Sequence, residues 1–244
     1  MKDWFVNWFN SEQYLDVYSH RDESDAKKIV DLIISSTNIK IGSSVLDAAC
    51  GAGRHSIHFA SLGYSVSAFD LSENLLKYAQ KSAEEKQLKI NFFRSDIRTV
   101  ELKKEYDLIV NLFTSFGYFE EDEDNFRFVK NAYNNLVPSG YYVLDYFNIT
   151  QLKNSLIPFS VKEYGSKKII EERKLIGNFV VKNITIEDDE AISNFSEKVK
   201  LYEAEFLKER LLEIGFKIYA EFGDYDGNRF SETESSRIII IAQK

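Results

Sequence analysis

Asp47, Gly51 and Gly53 fall within VLDAACGAGRHS, residues 45–56, and their types and spacing could do chemistry. Two glycines one residue apart, between an apolar run and an amphipathic segment closing at Gly63, make the strand, glycine loop and helix of a nucleotide site. A side chain at Gly51 would block close approach of backbone to a ligand, and Gly53 can adopt dihedrals closed to other residues. Asp47 narrows the choice of ligand. A helix N-terminus favours an anion, so a carboxylate four residues before the first glycine is a poor neighbour for a pyrophosphate and suits a cationic ligand instead. Asp70 ends the alternating apolar stretch 64–69, just under twenty residues past the glycine loop. It is placed to accept hydrogen bonds from both hydroxyls of a ribose. Dehydrogenases share that feature, so it supports an adenosine ligand without choosing a reaction.

The elements that must position these residues alternate between strand and helix patterns as far as residue 147. Apolar runs at 64–69, 90–93, 106–113 and 141–147 read as strands after the first at the glycine loop, the run 106–113 being continuous enough to be buried on both faces. Between them run helices capped by Ser72 or preceded by the acids 120–124, where carboxylates answer the helix dipole. A second helix near the N-terminus starts around Asp22–Ser24 and carries Ile29, Val30 and Ile33. From 159 to 202 the pattern changes to alternating strands without a helix, with Gly177-Asn178 at a hairpin turn. A last helix stops at Gly215, and two closing strands flank the polar loop 223–236.

The acid, the G-x-G loop, the Asp70 position and Ser95-Asp96-Ile97 together resemble the class I S-adenosylmethionine-dependent methyltransferases. That resemblance implies a Rossmann-like α/β fold: a seven-stranded, mostly parallel sheet with an antiparallel last strand, here with a β-rich insertion after the fifth strand. It implies S-adenosyl-L-methionine as cofactor, held by Asp47, Ala49, Gly51, Gly53, Asp70, Leu71, Asp96, Ile97, Asn111 and Phe113. Asp96 would meet the adenine amino group, although an aspartate there can equally be a turn residue. Asn111, inside an apolar strand, needs a partner, either the cofactor or a helix end. The resemblance is ordered over about 22–140 and looser over the closing helix and hairpin.

The segment NLFTSFGYF, residues 111–119, lacks the Asn/Asp-Pro-Pro-aromatic sequence of nucleic-acid amino-methyltransferases. It resembles a small-molecule branch that includes N-methyltransferases of amino sugars and glycine. Tyr118 stands where a histidine base is expected in the amino-sugar members, which leaves substrate and base open. Tyr14 and Tyr118 are the catalytic candidates, and Arg21 and Tyr18 could also touch ligand. Tyr225, Asp226 and Arg229 could line a substrate entrance or form only a polar turn. No metal site is expected.

A chain of 244 residues, 44% hydrophobic, can be one domain: a flap or lid at 1–21, a core at 22–147, an insertion at 148–202 and a closing segment at 203–244. A net charge of −8 disfavours nucleic acid as a partner. No apolar run is long enough to span a bilayer and no signal-peptide layout precedes the first helix, so the expected compartment is cytoplasmic and the expected partner a small molecule. The single cysteine, Cys50, cannot form an internal disulfide and reads as a core residue. A monomer or a homodimer is expected. The insertion, leaving the carboxyl end of a strand, should overhang the crevice as a substrate lid, or else form a dimer sheet. The rival readings are an NAD(P)-dependent oxidoreductase, for which Asp47 crowds the phosphates, and a non-catalytic S-adenosylmethionine-binding protein. Loss of Asp70 is expected to weaken cofactor binding and leave folding nearly unchanged.

Overall fold

Strands with apolar residues on both faces need cover on both sides, and the main sheet is built that way. The structure is a computed structural model describing residues 4–18, 23–188 and 191–244. In chain order its elements are α1 (Trp4–Phe9), α2 (Gln13–Val17), α3 (Glu23–Ser36), β1 (Ser44–Ala48), α4 (Arg54–Ser61), β2 (Ser65–Asp70), α5 (Glu73–Glu85), β3 (Asn91–Arg94), β4 (Tyr106–Asn111), α6 (Asp122–Asn134) and β5 (Leu136–Phe147). There follow α7 (Ile149–Ser155), β6 (Phe159–Tyr164), β7 (Lys167–Ile176), β8 (Phe179–Asp188), β9 (Ala191–Lys200), α8 (Ala204–Ile214), β10 (Lys217–Phe222) and β11 (Arg237–Gln243). The seven-stranded sheet has the order β10-β11-β5-β4-β1-β2-β3. Strands β1 to β5 pair in parallel, and β11 runs antiparallel to both β5 and β10.

Successive residues of each strand feed opposite faces. Leu46 and Ala48 of β1 pack with Phe126 and Val129 of α6 and Leu207 and Leu211 of α8. Val45, one residue offset, packs with Ile29, Val30 and Ile33 of α3 and Phe59 of α4. In β11, Ile238 and Ile240 join the first cluster, Ile239 and Ile241 the second. The helix ends follow their sequence signals. The Ser72 hydroxyl accepts the Leu75 N–H at 3.1 Å as N-cap of α5, and Gly215 ends α8 at φ 117°.

Strand β5 begins at Leu136, five residues before the apolar run that marks it in the sequence. Its pairing with β4 shifts register between Leu136 and Tyr141, so Pro138 and Gly140 lie in an irregularity within the strand instead of in a turn before it. Helix α7 was not evident in the sequence. The Asn148 side chain caps it, accepting from the Thr150 N–H at 3.1 Å and donating to the carbonyls of Glu232 and Ser235 at 2.7 Å each. The insertion forms a second, antiparallel sheet in the order β6-β7-β8-β9, with the Gly177 turn at φ 57°. One face of it buries Ile169, Ile184 and Ile186 against Trp8 of α1 and Val17 of α2. Arg21 and Asp22 lie outside the described residues.

Candidate active site

The strand order reverses between β1 and β4, and ligand crevices of open α/β sheets form beyond the carboxyl ends of strands at such a point. A cavity of about 500 Å³ opens there, within the usual range for a small-molecule site. Asp47, Ala49, Gly51, Asp70, Leu71, Asp96, Ile97 and Phe113 all line it, as do Tyr14, Tyr18 and Tyr118. Two expected cofactor residues do not. Gly53, at φ 79° before α4, turns its α-carbon toward α5, where a Cβ would sit 2.8 Å from that of Ala79; it permits close helix packing. Asn111 is buried behind the lining, with Nδ2 donating to the Ala48 carbonyl at 3.1 Å and Oδ1 unpartnered. Its partner is thus the end of the neighbouring strand. Gly51, at φ 56°, has no atom nearer than 4.0 Å to an added Cβ: the space beside it is cavity, as a glycine under a ligand requires.

Asp47 is 1% exposed and accepts the Ser56 hydroxyl at 2.5 Å. Burial pushes its carboxyl up to about 7, with the Ser56 hydrogen bond opposing and the Asp70 charge adding. A cation beside it would relieve that penalty, which fits the ammonium and sulfonium of S-adenosylmethionine. Asp70 is also held above its ordinary value by burial, against hydrogen bonds from the Ser72 and Gly51 N–H groups at 2.8 Å each. Asp70 thus ties the glycine loop to β2, so its removal is expected to disturb the loop as well as any ribose contact, where the sequence alone suggests nearly unchanged folding. Asp96 faces Arg98, whose guanidinium grips it with a shortest contact of 2.6 Å. Burial raises its carboxyl, but Arg98 outweighs that and holds it below the ordinary range.

The wall facing these acids comes from the N-terminal helices, the loop after β4 and the second sheet. The Trp4 and Phe9 rings lie 5.5 and 5.6 Å from that of Tyr118, and Phe5 lies 5.5 Å from Phe119. The second sheet adds Tyr164, Glu197 and Val199 to the lining. Glu197 secures the flap: Trp8 Nε1 donates to it at 2.7 Å, the Tyr18 hydroxyl donates to the same oxygen, and Lys182 pairs with the other at 2.7 Å. Burial raises the Glu197 carboxyl, but Lys182 and these donors bring it below its usual value. Phe113 and Thr114, both lining the cavity, have φ of 56° and 62°. Two consecutive left-handed residues other than glycine cost about 1–3 kcal/mol each, and such strain gathers at functional sites.

Sequence reasoning missed Glu197, whose alternation in β9 marks its face but not what that face meets. The acids after β4 are committed elsewhere, Glu120 to Lys198 at 2.9 Å and Asp122 to Lys200 at 2.6 Å. They fasten the second sheet to α6. Tyr225, Asp226 and Arg229 do not line the cavity; Asp226 pairs with Lys28 at 2.8 Å, and Tyr225 is bonded to Asp145. Cys50 is 8% exposed, with its thiol raised by burial. Among the described residues no helix is long and apolar enough to cross a membrane.

Residues 45–140 match the methyltransferase domain family. The chain is 31% identical over 122 residues to a dTDP-3-amino-3,4,6-trideoxy-alpha-D-glucopyranose N,N-dimethyltransferase of Streptomyces venezuelae, over 50% of this chain and 49% of that protein. It is 25% identical over 158 residues to a ubiquinone biosynthesis O-methyltransferase of Rickettsia felis, over 65% and 63% respectively. The chain therefore spans about half to two thirds of these relatives. The crystal structure of an S-adenosylmethionine-dependent methyltransferase from Clostridium acetobutylicum superposes with a TM-score of 0.82 at 21% identity, covering 94% of this chain and 95% of that one. Residues 45–140 thus carry the methyltransferase-domain match, and the chain as a whole shares the fold of that solved structure.

Proposed function

We propose that the protein methylates a small-molecule acceptor, an amine in preference to a hydroxyl. The observation that carries this reading is the pairing of the buried acids Asp47 and Asp70 with an aromatic wall of Trp4, Phe9, Tyr14, Tyr18, Phe113 and Tyr118 in one cavity. Aromatic faces attract cations by roughly 0.5–2 kcal/mol each, which suits a sulfonium and an incoming ammonium alike. The amino-sugar substrate in the name of the Streptomyces relative supports the amine.

Asp47 would hold the amino-acid end of the cofactor, Asp70 the ribose, and Asp96 with Ile97 the adenine. S-adenosylmethionine supplies an activated methyl group. The chain's own part is to orient the acceptor nitrogen behind that methyl and to exclude water. Attack on that methyl would need the acceptor nitrogen's lone pair free, so the acceptor's proton would have to leave. Tyr14 and Tyr118, both among the residues lining the cavity, are the candidates to receive or relay it. Matched pairs of amines and alcohols, amino sugars included, offered with S-adenosylmethionine test the reading by mass spectrometry. Methylated amine is expected; transfer to the alcohols alone would overturn the amine assignment.

A further inference from the structure

At the carboxyl end of β5, Asp145 has no solvent exposure, and its carboxylate collects donors from three separate segments. The Phe113 N–H donates to Oδ2 at 2.8 Å, and the Tyr225 hydroxyl to the same oxygen at 2.9 Å. Arg237 Nε donates to Oδ1 at 2.5 Å. The Thr114 N–H donates to the backbone carbonyl of Asp145 at 3.0 Å. Arg237 then reaches further: a terminal nitrogen donates to Thr114 Oγ1 at 3.0 Å, and its guanidinium lies 5.5 Å from the centre of the Phe113 ring.

Backbone pairing carries β5 and β11 through the register Ile239 opposite Asp145 and Arg237 opposite Phe147. What the cluster adds is the conformation of two residues. Phe113 and Thr114 are left-handed, line the cavity, and are both bonded to Asp145. Asp145 and Arg237 do not line it. A strained pair persists only where its surroundings over-determine it, and a carboxylate fully out of water holds its donors firmly because releasing one would leave it under-satisfied.

We propose that Asp145 and Arg237 are positioning residues for methyl transfer, holding Phe113 and Thr114 as the wall against which the acceptor is aligned. The proposal rests on the methyl-transfer reading of the site. Misplacement of a reacting group by about 1 Å can cost on the order of a hundredfold in rate.

The test compares full-length wild type with Arg237→Met, Arg237→Lys and the milder Tyr225→Phe. It measures kcat, acceptor KM, affinity for S-adenosylmethionine by calorimetry, and amide hydrogen exchange of residues 112–116. Arg237→Met should lower kcat about 10- to 100-fold, with cofactor affinity held within about threefold and exchange at Phe113 and Thr114 at least about tenfold faster. Arg237→Lys, which keeps a cation on Asp145, should recover part of kcat, and Tyr225→Phe should fall between it and wild type. Wild-type kcat in Arg237→Met would overturn the proposal. So would a common fall of kcat, cofactor affinity and exchange protection across the whole chain, which marks general loss of fold. If wild type itself methylates no acceptor, the methyl-transfer reading fails, and exchange alone decides the positioning: faster exchange confined to 112–116 supports it, unchanged rates overturn it.

Discussion

Affinity for S-adenosylmethionine should fall on acidification because Asp47 must ionise to receive a cation. Burial holds its carboxyl at about 7 in the cofactor-free protein. If the cationic ligand binds only the carboxylate, affinity follows the ionised fraction: about one half at pH 7, about one eleventh at pH 6 and about one hundredth at pH 5. The loss is about fivefold from pH 7 to 6 and about ninefold more to pH 5. Above pH 7 Asp47 adds little, and the cofactor's α-amino group, near its ordinary value of about 7.7–8.0, begins to lose its charge. Calorimetry from pH 5 to 8.5 at constant ionic strength should give an acid limb from Asp47 and an alkaline limb from the ligand. Asp47→Asn should bind more weakly at pH 7 and lose only the acid limb. The same residue carries a stability signature. Its folded value lies above the ordinary 3.8, so the folded state binds the extra proton between roughly pH 4 and 7, and stability is lost as pH rises through that window, by at most about 4 kcal/mol. The Asn variant should therefore melt above wild type at pH 8 and close to it at pH 4. Affinity that is flat from pH 5 to 7, or an acid limb that survives in the variant, would refute the placement of Asp47 beside the cation.

Asp70→Ala should cost both binding and fold stability, since each backbone N–H it abandons is worth about 1.5–3 kcal/mol when left unpaired; calorimetry with unchanged thermal melting would contradict this. Gly53→Ala should destabilise by roughly 2–4 kcal/mol, because φ is 79° and the new Cβ meets Ala79 at 2.8 Å. Gly51→Ala should cost only about 1 kcal/mol and weaken cofactor binding instead; urea denaturation should separate the two. Trp8→Phe replaces the buried indole with a smaller phenyl ring and removes one donor from buried Glu197, which should cost at least about 1.5–3 kcal/mol. It should also quicken proteolysis within α1, and an unchanged cleavage rate would show that Glu197 does not secure the flap.

Asp47, Gly51 and Asp70 were legible because they sit in a local pattern of strand, glycine turn and strand end at fixed spacing, and all three line the cavity. The strands were legible from continuous apolar runs, and the second sheet from alternation. Less local features were hidden. Pro138 and Gly140 look like a turn, yet β5 carries them in an irregular stretch because β4 tolerates a register shift there. Asn111 announced itself as a buried amide needing a partner, but only three dimensions show that Ala48 supplies it. The acids 120–124 signal a helix start, while their lysine partners lie about eighty residues away in β9. Asp145 and Arg237 are 92 residues apart, and neither belongs to a local motif; antiparallel pairing of β11 with β5 brings them together.

The central claim is that the cavity between Asp47, Asp70 and the aromatic wall brings S-adenosylmethionine and a small amine together for methyl transfer. The most direct measurement incubates the purified protein with S-adenosylmethionine carrying an isotopically labelled methyl group and a pool of small amines, and follows product and demethylated cofactor together. The account predicts label in an amine product, with one equivalent of S-adenosylhomocysteine released for each methyl transferred. Cofactor bound at the site with no label leaving it for any amine in the pool would contradict the account.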